Sequence, residues 1–423
     1  MGREVMPLPI DRSRLVIEHL RSGVPSSEAA DLLSAGRTQI LGAVEQQLDA
    51  LKQGRQDRKN HIVLMANYGD GKTHALQAIR EMAERAGFLV SLMSVSRESP
   101  LVPPARLYRR LVAGTYYPGV RRPGLDALLA ALRERPEEIQ KLLRFAEQSL
   151  TPRLACILAA LFEGSGAQET LEDDLRGFHL SQSQVRAAYR ESLGQPAPKL
   201  DRFTADDYFG YLQLLDRMAH HAGLGGWVIL IDEMEMIGKF GRRARAKSYL
   251  LFDRLTEGRQ LPHTYTAWAL ASSFRGDTLG RLKEQEKLGE WLAQRGDLET
   301  AKAIERPLAR LEKAAVLPPL GEDELATVVT GISCAHAAAY GWTPPQGGPD
   351  LFRIVRSGLP ERDAKVRQLV RAAVQVLDHQ MRYGETPTLR LSAIEQPAVD
   401  PDEDADDGEG PPLDGPVRRD WPS

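Results

Sequence analysis

A glycine-rich segment in the first fifth of the chain has the residue types and spacing of a phosphate-binding loop. It lies between an apolar run and a segment with helical periodicity, and it reads Met65-Ala66-Asn67-Tyr68-Gly69-Asp70-Gly71-Lys72-Thr73-His74. In such a loop backbone N–H groups close around phosphate oxygens, Lys72 reaches the β and γ oxygens, and the Thr73 hydroxyl binds Mg²⁺. Ala66 replaces the first glycine of G-x-x-x-x-G-K-[ST], which a backbone with negative φ tolerates. The segment predicts a Mg-ATP site contacted by residues 67–74.

A second apolar run ends in two acidic residues. Residues 227–231 are followed directly by Asp232 and Glu233. This arrangement places Asp232 beside Mg²⁺ and Glu233 where it polarises an attacking water. Together with the phosphate loop it predicts an ATP-hydrolysing site, with Lys72 and Glu233 as catalytic residues and Thr73 and Asp232 as metal ligands. Glu235 is either a further polar contact or, more simply, an exposed residue at the start of a helix.

A third apolar run, residues 266–271, is followed by Ser272 and Ser273. In hydrolases whose catalytic glutamate follows the metal-binding acid, the strand between the two halves of the site ends in a polar residue that senses the γ-phosphate. Either serine suits that role. Either one equally suits a strand end or the start of a turn.

Many arginines follow these strands, and one of them is expected to stabilise charge in the transition state. Arg367 is the preferred residue for a catalytic contact within the same chain, because it opens the last strongly amphipathic helix. Arg243 and Arg275 are the candidates for an arginine supplied to a neighbouring subunit. The others in these segments are expected mostly at the surface: Arg242, Arg245, Arg281, Arg362 and Arg371.

Short apolar runs that alternate with helical segments predict the fold class. We expect an α/β fold with a doubly wound parallel sheet, whose strands are residues 61–65, 88–95, 227–231, 266–271 and 314–317. The predicted units are an N-terminal helical segment (1–55), a P-loop core (56–320) with a large helical insertion at about 100–215, a C-terminal helical lid (321–394) and an acidic tail (395–423) expected to be disordered.

Composition excludes several classes of protein. The 423 residues are 42% hydrophobic and 27% charged, as in ordinary globular proteins. Only Cys156 and Cys334 occur, which excludes a disulfide framework and cysteine-rich zinc modules and suits a reducing compartment. No stretch approaches the roughly 18 apolar residues that span a bilayer, so we expect a cytoplasmic protein without a membrane partner.

The charge is unevenly distributed along the chain. The net charge is −3, but residues 395–423 hold ten acidic residues against Arg418 and Arg419, a charge of −8. The rest of the chain therefore carries +5, which is compatible with nucleic acid without requiring it. The tail either serves as a solubilising end or docks onto a basic partner.

The chain resembles the ATP-binding P-loop proteins of BREX-type bacteriophage-defence systems, of the BrxD kind, which are related to part of the larger BrxC. Besides residues 67–74 and 231–235, the resemblance rests on Ala35-Gly36-Arg37, Ser96-Arg97-Glu98-Ser99-Pro100, Leu317-Pro318-Pro319-Leu320 and Ala339-Tyr340-Gly341-Trp342. It implies an AAA+-like ATPase that acts with other defence proteins on or near DNA. By the same resemblance, Gly36 and Arg37 become candidate adenosine contacts.

The leading hypothesis is an ATPase that couples Mg-ATP turnover to assembly or remodelling of a defence complex. One alternative is a DNA-dependent motor or loader on double-stranded DNA. Another is a nucleotide-gated scaffold that closes its C-terminal helices over ATP and hydrolyses it slowly or never. Other defence-system proteins, double-stranded DNA and further copies of the chain in a homo-oligomer are the expected partners.

Overall fold

The computed structural model describes residues 9–22, 36–55, 59–204, 207–359 and 366–387. Ala35, Arg362 and the acidic tail 395–423 lie outside the described residues. In the part that is described, no helix combines the length and apolar composition needed to cross a bilayer.

A six-stranded sheet forms the centre of the protein. Its strands are β1 (His61–Ala66), β2 (Leu89–Ser94), β3 (Thr115–Tyr116), β4 (Trp227–Asp232), β5 (Thr264–Ala271) and β6 (Ala315–Val316). Their order across the sheet is β3-β2-β4-β5-β1-β6, and all neighbours are parallel except β3, which pairs antiparallel with β2. The five predicted strands are confirmed, the last as two residues only. The sixth strand, β3, is not predicted from the sequence, because two residues are too few to show a period.

Helices surround the sheet. In chain order they are α1 (Ile10–Ser22), α2 (Thr38–Lys52), α3 (Lys72–Arg85), α4 (Pro104–Ala113), α5 (Asp126–Arg133), α6 (Pro136–Ser149), α7 (Pro152–Glu163), α8 (Gln168–Leu175), α9 (Gln182–Leu193), α10 (Asp207–His221), α11 (Arg242–Glu257), α12 (Glu284–Ala293), α13 (Leu298–Ala303), α14 (Glu305–Glu312), α15 (Glu322–Tyr340), α16 (Gly348–Ser357) and α17 (Val366–Tyr383).

Both faces of the sheet are covered, as the continuous apolar strands predict. Successive side chains of a strand point to opposite faces. Val228 and Leu230 of β4 accordingly pack with α2 and α3, whereas Ile229 and Ile231 belong to the larger core formed with α4, α10 and α11. Every residue of β4 is buried. The polar residues that follow such strands are therefore held at one firmly packed edge.

Helices α4 to α10 lie between β2 and β4, in the region where the periodicity predicts a helical insertion. Their leucine-rich faces join the core on one side of the sheet. A buried ion pair lies among them, in which Arg153 donates to Asp174 and the Tyr211 hydroxyl donates to the same carboxylate. The backbone N–H of Leu180 donates to it as well, at 2.9 Å. These bonds satisfy the buried carboxylate of Asp174 and connect three segments of the insertion.

Helix α1 packs against the C-terminal helices, which its place in the sequence did not indicate. Val16, Ile17 and Leu20 are buried in one cluster with α15, α16 and α17. Arg21 of α1 donates to both carboxylate oxygens of Asp378 at 2.8 Å. Arg12 lies 2.7 Å from Glu81 and so connects α1 with α3. Helix α1 and helices α15 to α17 thus form one helical subdomain beside the sheet.

Candidate functional site

The loop between β1 and α3 has the backbone of a phosphate-binding loop. Gly69 (φ 92°) and Gly71 (φ 90°) adopt left-handed conformations that favour glycine, and Gly71 precedes the first residue of α3. Among the described residues other than glycine, only Ala167, Glu233 and Lys283 have positive φ. Ala66 therefore has an ordinary backbone conformation, and its replacement of the first glycine costs no strain.

The amine of Lys72 lies over this loop. Its Nζ donates to the carbonyl oxygen of Ala66 at 3.2 Å and to that of Asn67 at 3.1 Å, and the residue is only 8% exposed. A buried ammonium group needs several hydrogen bonds. The loop thus places one positive charge at the N-terminus of α3, where the helix dipole also attracts anions.

Thr73 and Asp232 contact each other across the carboxyl edge of the sheet. Thr73 Oγ1 donates to Asp232 Oδ2 at 2.7 Å, although the residues are 159 positions apart in sequence. Asp232 is buried, and its Oδ1 accepts a hydrogen bond from the backbone N–H of Glu233 at 2.8 Å. A hydroxyl and a carboxylate are hard oxygen ligands of the kind Mg²⁺ prefers. These two residues therefore fit a magnesium site beside the phosphate loop.

Glu233 has an unusual backbone conformation for a side chain of its size. Its φ of 57° is left-handed, and it precedes the 3₁₀ turn Met234–Lys239. Partial burial raises the pKa of Glu233, and the neighbouring charges of Asp232 and Glu235 raise it further. A strained residue with a raised pKa at the mouth of a site suits a general base. The prediction that Glu233 polarises water is compatible with this geometry.

Glu235 makes a polar contact with β5. Its Oε2 accepts a hydrogen bond from the backbone N–H of Ala271 at 2.9 Å. Of the two sequence-based readings, a polar contact or an exposed residue at a helix start, the structure shows the contact. Glu235 thus joins the segment after β4 to the carboxyl end of β5.

The strand that ends in Ser272 and Ser273 lies between the two halves of the site. β5 pairs with β1 on one side and with β4 on the other, as the sequence analysis predicts. The backbone N–H of Ser272 donates to the carbonyl oxygen of Ala66 at 2.9 Å, whereas Ser273 is exposed. Ser272 is therefore the serine held against the phosphate loop.

Gly36 and Arg37 lie at the start of α2, next to the phosphate loop. Arg37 is 5% exposed, and it donates to the carbonyl oxygens of Asp70, at 2.8 Å, and of Pro318. Burial lowers the pKa of Arg37. Gly36 has a φ of 72°, and a Cβ atom there would lie 2.3 Å from Oε1 of Glu324. The pair thus joins the loop to the segment after β6.

A narrow cleft opens beside the loop, and sequence reasoning identified only part of its lining. Its residues are Arg37, Leu41, Asp70, Gly71, His74, Ala75, Ala78, Leu320 and Val366. Burial, and then the positive charge of Arg367, lower the pKa of His74 to about 4. Arg367 therefore lies close to the site, at the exposed start of α17.

The other arginines singled out in the sequence differ in their surroundings. Arg245 donates to Glu284 at 2.6 Å and to the carbonyl oxygen of Phe240 at 2.8 Å, so it holds α11 in place. Arg275 is exposed and donates to the carbonyl oxygen of Glu312 at 2.7 Å. Arg243 is exposed on the first turn of α11. Arg243 and Arg275 stay candidates for a contact with a second copy.

Comparison with known proteins identifies one family. A family model described as "BREX system ATP-binding protein BrxC/D" matches residues 9–131 and 121–388. No curated protein matches the chain. Among solved structures, the Walker-type ATPase PABY2304 of Pyrococcus abyssi matches with 11% sequence identity and a TM-score of 0.33, over 80% of this chain and 67% of that one. A likeness this weak carries no argument about the site.

Proposed function

This chain belongs to the BREX system ATP-binding protein BrxC/D family, and we propose that it binds Mg-ATP and hydrolyses it to ADP and phosphate. The observation that supports the proposal most strongly is the 2.7 Å hydrogen bond between Thr73 and Asp232. This bond joins Thr73, which follows the glycine-rich loop, to Asp232, the last residue of the apolar strand β4, at one edge of the sheet. That juxtaposition is what a metal-dependent phosphoryl transfer needs.

Each residue of the site has a role in the proposed reaction. Lys72 and the N–H groups of the loop bind the β- and γ-phosphates, while Thr73 and Asp232 hold Mg²⁺, which neutralises phosphate charge when bound. Glu233 accepts a proton from the attacking water, which its raised pKa favours. Ser272 contacts the γ-phosphate from the end of β5. Arg367 stabilises the charge that develops on it.

The Mg²⁺ role of Thr73 can be tested by a nearly isosteric substitution. Thr73→Val removes the hydroxyl and keeps the side-chain volume, so we expect Mg²⁺-dependent ATP turnover to fall at least about tenfold. Thr327→Val is the matched control, because Thr327 donates only to the carbonyl of Asp323 on the exposed side of α15. Turnover of Thr73→Val equal to that of Thr327→Val would contradict the proposal.

We further propose that the chain is a protein of the BrxD kind with an AAA+-like core, and that its turnover drives assembly or remodelling of a BREX defence complex on or near double-stranded DNA in the cytoplasm. The family match and the charge of +5 over residues 1–394 support this extension. DNA that raises turnover at low salt and not at high salt would support it, because phosphate contacts release counterions. ATP turnover that DNA does not change at any salt concentration would contradict the proposal that the complex acts on or near DNA.

A homo-oligomer is the proposed active form. The exposed positions of Arg243 and Arg275 support it, since either can reach a neighbouring copy. In that case specific activity rises with protein concentration, and Arg243→Ala or Arg275→Ala removes this rise without weakening ATP binding. Constant specific activity over a hundredfold range of protein concentration would contradict the proposal that a neighbouring copy completes the site.

A nucleotide-gated scaffold is the second candidate function. It is favoured by the cleft, because Leu320 and Val366 place the C-terminal helices against the same space as the phosphate loop. A ligand that binds there changes the contacts of these helices and shifts their position. Clear ATP binding by the wild-type protein without turnover, alone or with DNA, would favour the scaffold over the ATPase.

A further inference from the structure

The cleft beside the phosphate loop lies on a different face of α3 from the magnesium site. Consecutive helical residues point about 100° apart. Thr73 is directed to Asp232, whereas His74 lines the cleft together with Ala78, one turn further along α3. Because the cleft also includes Asp70 and Gly71, a group bound in it is adjacent to phosphates held by the loop.

Part of the wall of the cleft is apolar. Leu41 from α2, Leu320 from the segment after β6 and Val366 from α17 form apolar surfaces. Pockets for small ligands are mostly apolar and contain few polar groups, which fix orientation and specificity. Arg37 also lines the cleft, and its guanidinium donates to two carbonyl oxygens and keeps further N–H donors.

His74 supplies a polar atom that has no partner. Its Nδ1 is buried and makes no hydrogen bond with any residue that the structure describes. A neutral imidazole carries one N–H donor and one acceptor nitrogen, and buried polar atoms of native proteins almost always have partners. Because His74 lines the cleft, a ligand bound there is the expected partner of its Nδ1.

We infer that Nδ1 of His74 accepts a hydrogen bond from the exocyclic amino group of adenine and thereby makes the site selective for ATP over 6-oxopurine nucleotides. The inference rests on the proposed binding of ATP at Lys72 and Thr73. A purine with a carbonyl at position 6 presents an acceptor to an acceptor, so both atoms stay unpaired in a dry cleft. Sites that read a substrate amino or hydroxyl group reject analogues that lack it for this reason.

The test compares ATP with inosine triphosphate, because the two differ in the amino or carbonyl group at purine position 6 and in the proton on the adjacent ring nitrogen. Dissociation constants are measured by calorimetry with Mg²⁺ at pH 8, where an imidazole of ordinary pKa, about 6.5, is already neutral. We expect the wild-type protein to bind ATP about tenfold or more tightly than inosine triphosphate. In His74→Ala we expect the dissociation constants of the two nucleotides to lie within about twofold of each other, mainly because ATP binds more weakly.

Two further variants separate loss of the hydrogen bond from loss of packing. His74→Leu fills the cleft without a polar atom and is expected to lose the preference as His74→Ala does. His74→Asn places an amide oxygen near the position of Nδ1 and is expected to keep part of it. Circular dichroism checks that each variant is folded. If His74→Ala is not folded, His74→Leu decides the test.

The possible outcomes distinguish this inference from the proposed function. An unchanged ratio of the two dissociation constants in folded His74→Ala or His74→Leu overturns the inference alone, since ATP binding is then intact. A wild-type preference for inosine triphosphate also overturns it, because Nδ1 would then be a donor. Wild-type protein that binds neither nucleotide overturns both the inference and the proposed function.

Discussion

The carboxylate of Glu235 accepts a hydrogen bond from the backbone N–H of Ala271 at 2.9 Å, which connects the segment after β4 directly to the last residue of β5. Asp232 and Glu233 lie on one side of this bond, and Ser272 lies on the other. The segment that carries the proposed base and the strand that carries the proposed γ-phosphate contact are thus connected through the side chain of Glu235.

Glu235 is therefore expected to act as a positioning residue. Glu235→Ala leaves the N–H of Ala271 without its partner, and we expect kcat for ATP hydrolysis to fall about tenfold while the dissociation constant of ATP changes less than threefold. Glu235→Gln retains an acceptor oxygen and should recover most of the lost kcat. An equal loss in both variants, or a loss confined to binding, would contradict the positioning role.

The raised pKa of Glu233 gives a prediction for the pH dependence of turnover. A general base works only when deprotonated, so kcat/KM, which reports the pKa values of the free enzyme, rises with pH through the pKa of Glu233 and is lost below it. Because burial and the charges of Asp232 and Glu235 raise that pKa, the acid limb should have its midpoint above 4.5, the ordinary value. The measurement is kcat/KM between pH 4 and 8, with circular dichroism at each pH to exclude unfolding. A midpoint at or below 4.5 would be inconsistent with this assignment.

His61 gives a separate prediction for stability. Burial, and then the charge of Arg310, lower its pKa from 6.5 to about 4 in the folded chain. Between these values the unfolded state binds more protons, so the free energy of unfolding decreases as the pH falls from 7 to 5, by about 1 to 2 kcal/mol from this residue. Urea unfolding at both pH values should show a smaller decrease for His61→Gln than for the wild type. Equal decreases would show that the protonation of His61 does not differ between the folded and unfolded states.

Two glycines of the same region provide a matched pair. Gly36→Ala forces a side chain onto a φ of 72° and into the carboxylate of Glu324, so we expect a loss of roughly 1 to 2 kcal/mol in stability, together with weaker ATP binding. Gly42 lies within α2 with nothing near the position of a Cβ atom, and Gly42→Ala should stabilise the protein by about 0.5 to 1 kcal/mol. Thermal unfolding of both variants tests this. A Gly36→Ala variant as stable as Gly42→Ala would contradict the left-handed backbone at Gly36.

Local patterns predicted the sheet and the phosphate loop because each depends on residues that are neighbours in sequence. An apolar run of five or six residues shows a buried strand, and Gly69, Gly71 and Lys72 show the loop. A γ-phosphate contact by Ser272 or Ser273 requires β5 to lie between the two halves of the site, and β5 does pair with β1 and with β4.

Contacts between distant segments could not be read from periodicity. The apolar face of α1 predicts a helix, but nothing in its sequence indicates that Val16 packs against α15 and α17. Leu41 and Val366 meet beside His74 only because α2, α3 and α17 converge there. The acceptor role of Glu235 likewise depends on the turn after β4, in which Glu233 adopts a left-handed backbone.

The most direct test of the central claim measures ATP binding and ATP turnover on the same preparations of the wild type, Lys72→Ala, Glu233→Gln and an exposed control, Glu299→Gln. The account predicts that the wild type and the control bind and hydrolyse ATP, that Lys72→Ala binds at least about tenfold more weakly, and that Glu233→Gln binds normally but turns ATP over at least about a hundredfold more slowly. Wild-type rates in Glu233→Gln, or undiminished ATP binding in Lys72→Ala, would contradict it.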